Sequence, residues 1–137
     1  MTEAPTGYSG TPLVRKLGLK PGQLVLLERG PADLDLAPLP RHLEVHRRAG
    51  HGPYDVIVTF CADAARLAAR FDPLVARLAT AGGLWVAWPK KASGVRTDLT
   101  EDLVRRTALQ AGLVDVKICA IDPTWSGLKI VRRVSDR

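Results

Sequence analysis

The sequence predicts a three-layer α/β domain whose mostly parallel sheet ends in an antiparallel hairpin. Three observations carry this reading. The apolar runs QLVLL (23–27), YDVIVTF (54–60) and LWVAW (84–88) are nearly continuous, as in parallel strands covered on both faces. Helical patterns stand between these runs, and parallel pairing needs such crossovers. The last two strand-like runs, 114–121 and 127–134, are joined by five residues alone, DPTWS, short enough for a hairpin.

The elements follow in order. Residues 1–10 are polar, contain Pro5, Gly7 and Gly10, and are expected to form a loose arm ahead of one domain at 11–137. Thr11 is placed to cap a short helix with Pro12 at its first position, Leu13, Val14 and Leu17 as its apolar stripe, and Gly18 as its stop. Lys20-Pro21-Gly22 turns the chain into the first strand. The stretch 29–40 holds Gly30, Pro31, Pro38 and Pro40, and supports at most a turn of helix around 32–36. A weak strand is expected at 42–46, a polar loop at 47–53, and the strong second run at 54–60.

A helical region is predicted over 63–81, where Leu67, Phe71, Leu74 and Leu78 recur at spacings of three and four. Asp72-Pro73 resembles a cap and first helical position, so the region reads as two helices or one kinked helix, closed by Gly82-Gly83. After the strand at 84–88 comes a loop at 89–97. Asp98 and Glu101 form a capping box for a helix to Ala111, with Gly112 beyond its end.

Composition bounds the function. The chain has 137 residues, room for one domain with a real core. Its net charge is +6, and residues 61–137 hold thirteen Lys/Arg against eight Asp/Glu. A basic half of this kind attracts phosphates, nucleic acid or an acidic protein partner. Cys61 and Cys119 lie in apolar contexts without metal spacing, and are expected to be buried free thiols. No charged n-region with an apolar h-region opens the chain, and no apolar run reaches the ~18–20 residues of a membrane span, so a cytoplasmic protein with no membrane contact is expected. The sequence leaves the oligomeric state open.

In an open α/β sheet, ligands bind beyond the carboxyl ends of the parallel strands. Four segments should meet there: 28–31, 61–63, 89–97 and 122–127. The loop KKASGVRT is the best anion-binding candidate, with Lys90, Lys91 and Arg96 as cations, Ser93 as a donor and a helix start behind it. Asp122, Trp125 and Ser126 are expected to complete one concave surface with it, Trp125 as a stacking platform or as a core ring. A glycine-rich turn is missing after the first strand, where ERGPADLDL carries one glycine followed by proline, so no cofactor of the S-adenosylmethionine or dinucleotide type is expected. His42, Glu44 and His46 are too few for a metal site, there is no nucleophile elbow, and no catalytic residue is assigned. The leading expectation is a non-catalytic domain that binds a small anionic ligand at the strand ends. The alternatives are a regulatory domain for nucleic acid or protein, and a small transferase with an atypical cofactor site.

Two resemblances accompany these readings. Parallel strands closed by an antiparallel hairpin, entered through LKPGQLVLL, resemble the Rossmann-like sheet of class I methyltransferases, shortened by at least one strand-and-helix unit of its first half. The strings GYSGTPLVRKLGLKPG, LWVAWPKKASGVRTDLTEDLVR and GLVDVKICAIDPTWSGLKIVRR resemble the bacterial family designated domain of unknown function 3052. That resemblance implies that residues 8–12, 88–98 and 122–127 are family motifs. It implies no particular activity, cofactor or partner.

Overall fold

The computed structural model describes residues 10–137. All of the expected N-terminal arm except Gly10 lies outside the described residues, as do Tyr8 and Ser9 of the first motif.

Six strands form one sheet in the order β2-β1-β3-β4-β6-β5. They are β1 (Leu24–Glu28), β2 (Glu44–His46), β3 (Tyr54–Phe60), β4 (Leu78–Pro89), β5 (Leu113–Ala120) and β6 (Trp125–Arg132). β2, β1, β3 and β4 are mutually parallel, and β6 inserts antiparallel between β4 and β5. The predicted fold class is therefore the observed one. The α-helices are α1 (Leu13–Leu17), α2 (Ala64–Ala76) and α3 (Glu101–Gln110).

Alternation along β4 divides the core. Leu84, Val86 and Trp88 face one side, where they pack with Leu67, Phe71 and Leu74 of α2 and Val104 and Ala108 of α3. Trp85 and Ala87 face the other side, with Leu13 and Leu17 of α1, Phe60 and Ile121. The period of two that separates Trp85 from Trp88 in the sequence is realised in the sheet.

Three local expectations are corrected. First, one helix spans Pro73 and stops at Ala76, and residues 78–83, expected as helix end and stop, open β4. Long-range contacts decide this. Tyr54 N–H bonds the Arg77 carbonyl, and the Arg132 guanidinium donates to the carbonyls of Val75, Leu78 and Ala79. Gly82 lets β4 approach β3, since a Cβ there would sit 2.9 Å from the Tyr54 carbonyl oxygen. Second, Thr100 rather than Asp98 caps α3, accepting from Leu103 N–H, while Asp98 reaches across to Ala64 N–H at the start of α2. Third, Pro12 rather than Thr11 holds the cap position of α1. The segment 29–43 carries turns but no helix among the described residues.

Candidate functional site

The carboxyl ends of β1, β3 and β4 lie side by side, and two different arrangements are built there. At β1, Glu28 is the last strand residue and is buried. Its carboxylate accepts Thr59 Oγ1 at 3.1 Å, Arg66 Nη2 at 3.1 Å, Arg70 Nε at 3.1 Å and Arg70 Nη2 at 2.7 Å. Arg66 and Arg70 are one turn apart on α2, so one helix face clamps one carboxylate. Burial pushes this carboxyl up, but the hydrogen bonds from Arg70 and Thr59 and the charges of Arg70 and Arg66 outweigh it and hold the group below its usual range. Beside it, burial pushes the Cys61 thiol up to about 11, so it stays protonated and unreactive near neutrality. Cys61 is buried as expected, whereas Cys119 is half-buried.

Beyond β3 and β4 lies an open cleft of about 1030 Å³. Trp88, Pro89 and Leu99 give it apolar walls, Ala62 and Asp63 border it from the start of α2, and Lys91 and Arg96 supply cations. Its carboxylates are already committed. Asp63 caps α2 through Arg66 N–H, Asp98 accepts Ala64 N–H, and Glu101 pairs with Arg105. Lys91 and Arg96 have no ion-pair partner among the described residues.

The residues expected to share one surface separate here. Lys91 and Arg96 line the cleft. Lys90 precedes it, its N–H bonded to the Thr124 carbonyl, and Ser93 uses its hydroxyl on Lys90 O and Val95 N–H. Asp122 closes the hairpin turn, one of its carboxylate oxygens accepting the N–H groups of Thr124 and Trp125 at 2.8 and 2.7 Å. Trp125 pairs with Pro89, one residue beyond Trp88, and so lies on the α1 face, edge-on to Phe60 at 5.1 Å. Ser126 pairs with Trp88 and shares the cleft's face without lining it. The role of Asp98 and the Glu28 clamp escape the sequence reading. An acidic residue ending an apolar strand, with two arginines four apart on a later helix, is the available signal.

His46 forms a chain from Glu44 Oε2 (2.6 Å) through its ring to the buried Tyr54 hydroxyl (2.7 Å), which also accepts Gly50 N–H. This ties the 47–53 loop to the sheet. No group of three or more metal-ligating side chains occurs among the described residues, and none of their helices is long and apolar enough to cross a membrane.

The sequence matches no protein-family model and no curated protein. Solved structures do match in shape. A SAM-dependent methyltransferase from Aquifex aeolicus aligns with a TM-score of 0.59 at 13% identity, over 90% of this chain and 89% of the other. A ribosomal-protein methylase from Lactobacillus delbrueckii subsp. bulgaricus aligns at 0.57 and 13% identity, over 88% and 75%. The magnesium protoporphyrin IX methyltransferase from Synechocystis, solved with bound SAM, aligns at 0.53 and 15% identity, over 88% and 74%.

The fold family implies S-adenosylmethionine, and the residues present do not fit it. Such a cofactor sits on backbone N–H groups of a glycine-rich turn that opens a helix. Here β1 is followed by Arg29 at φ 60°, by Gly30 packed against the Phe60 ring, and by Pro31, which has no N–H. Between that turn and β2 no helix starts, and the Glu28 carboxylate beside it is enclosed by two guanidinium groups. The chain has a methyltransferase-like Rossmann fold.

Proposed function

We propose that this domain binds a small anionic ligand carrying a flat apolar body, in the cleft between the start of α2 and the 91–101 segment, and does so without S-adenosylmethionine. The observation that carries this is a pair of cations without ion-pair partners set beside the apolar walls of the cleft. Lys91 and Arg96 line it beside Trp88 and Leu99 with no ion-pair partner among the described residues, while the neighbouring Asp63, Asp98 and Glu101 are each engaged by backbone or by Arg105. Arg96 offers a planar fork to a carboxylate or phosphate, Lys91 a point charge, and Trp88 an apolar wall. The three sequence strings described above support membership of the domain of unknown function 3052 family.

A thermal-shift screen of carboxylates and nucleotides tests the reading. A ligand at about 100 times its Kd should stabilise the fold by about 2.7 kcal/mol. In Lys91→Ala/Arg96→Ala that stabilisation should be lost, while the unliganded melting temperature moves little, since exposed charges contribute about 0–1 kcal/mol each. Retention of the full ligand response in the double variant would remove the cleft from consideration.

A second reading, a small transferase, draws on the methyltransferase neighbours. The turn at 28–31 argues against their cofactor. Isothermal titration with S-adenosylmethionine should give no Kd below about 10 μM, the equivalent of roughly −7 kcal/mol. Tighter binding would restore the transferase reading.

A further inference from the structure

On the other face of the sheet, strand pairing brings together cations that nothing in the cleft uses. Lys117 of β5 and Lys129 of β6 are direct cross-strand partners, an unfavourable pairing for like charges. Lys129 also pairs with Trp85, which places it on the α1 face. Its stem runs across Gly83, where a Cβ would come within 2.6 Å of its Cε, so the glycine leaves the slot that the lysine fills. That slot directs Nζ toward Gly18, the left-handed residue ending α1, with Lys20 two residues further on. Burial lowers the Lys129 pKa, and the charges of Lys117 and Lys20 lower it further. Lys117, not Lys129 itself, also lines a cavity of about 380 Å³, together with Thr11, Arg15, Lys16 and Cys119. Burial raises the Cys119 thiol, so it adds no negative charge there.

Among the described residues, none of Arg15, Lys20, Lys117 and Lys129 forms an ion pair with a carboxylate. Lys16 donates to the Ala120 carbonyl at 2.8 Å. A methionine in place of Lys129 would fill the same slot without the repulsion. The ammonium group meets like charge from Lys117 and Lys20, which an anion would offset.

We propose that Lys117 and Arg15 in this cavity, with Lys129 as the cross-strand neighbour of Lys117, form a second site that binds the phosphoryl groups of a small phosphorylated molecule. A concave space of this size takes a phosphate or diphosphate, and compact ammonium groups suit phosphate oxygens without needing a planar fork. The site shares no residue with the cleft, and stands or falls independently of it.

The test uses the full chain, with pyrophosphate as the probe, by titration calorimetry and thermal shift at low salt. Wild-type protein should bind pyrophosphate and melt higher in its presence. Lys129→Met should melt no lower than wild type without ligand, yet bind pyrophosphate about tenfold more weakly, the weight of one charge-assisted contact. Lys117→Ala, at an exposed position, should weaken binding similarly if the Lys129 variant fails to fold. Lys91→Ala/Arg96→Ala should leave the affinity unchanged. The proposal is overturned if pyrophosphate does not bind, or if neither lysine variant weakens it. It is equally overturned if a short DNA duplex binds through these lysines with a steep salt dependence and pyrophosphate does not compete.

Discussion

Trp85→Ala should cost about 3–5 kcal/mol of unfolding free energy, the range for removing a fully buried tryptophan. The ring has no exposed surface and sits in the layer between the sheet and α1. It also occupies the space that a side chain at Gly127 of the neighbouring strand would need, since a Cβ there would lie 3.2 Å from its Cε3. Its indole N–H donates to the Leu17 carbonyl at 3.2 Å, at the last turn of α1. A helix of five residues is far below the length that is stable alone, so α1 exists through such contacts. The expected signature is therefore twofold. The melting temperature falls on the order of 10–20 °C, and hydrogen exchange in 13–18 loses protection before the sheet does. Trp85→Phe keeps much of the apolar volume but leaves the Leu17 carbonyl without its donor, and should cost less. An alanine variant that melts within a few degrees of wild type would show that the α1 layer collapses around the loss.

The same residue illustrates what is legible in the sequence. Trp85 and Trp88 lie three apart on an apolar run, and alternation alone places them on opposite faces. The parallel strands are readable because each is apolar almost throughout. Residues 78–83 are not, because Leu78 continues the helical spacing of Leu67, Phe71 and Leu74, and two glycines imitate a stop. What makes them a strand is the backbone of Tyr54 and the guanidinium of Arg132, both far away in sequence. For the site, Lys91 and Arg96 can be found because they follow a recognisable strand. Trp125 reads as their neighbour because the sequence places it in the 122–126 turn rather than in a strand. It is the first residue of β6, paired with Pro89, and alternation from Ser126 opposite Trp88 puts the indole on the other face. The lysine slot and the Glu28 clamp depend on cross-strand pairing and on separations of about forty residues, which local patterns do not carry.

Glu28→Ala should destabilise the domain by about 3 kcal/mol, the lower end of the cost of breaking a buried ion pair. The lower end applies because Arg66 and Arg70 keep 22% and 24% of their side-chain surface exposed and water can partly replace the carboxylate. Arg66 Nε is already buried without a partner, so the variant would strand further guanidinium donors beside it. The sign of the pH dependence follows from the depressed carboxyl. Its contribution is fully present above the ordinary glutamate pKa of 4.5 and is lost as pH falls through the lower folded-state value. Wild-type protein should therefore lose its margin over Glu28→Ala on acidification, and the two melting curves should converge below that window. A difference that persists undiminished in acid would mean that packing of the glutamate stem rather than its charge matters. Glu28→Gln separates these further, because it keeps the stem and removes the charge. The clamp also bears on what the crevice can hold. Opening it by Glu28→Ala frees space but leaves Gly30-Pro31 and the missing helix unchanged, so the variant should gain no affinity for S-adenosylmethionine.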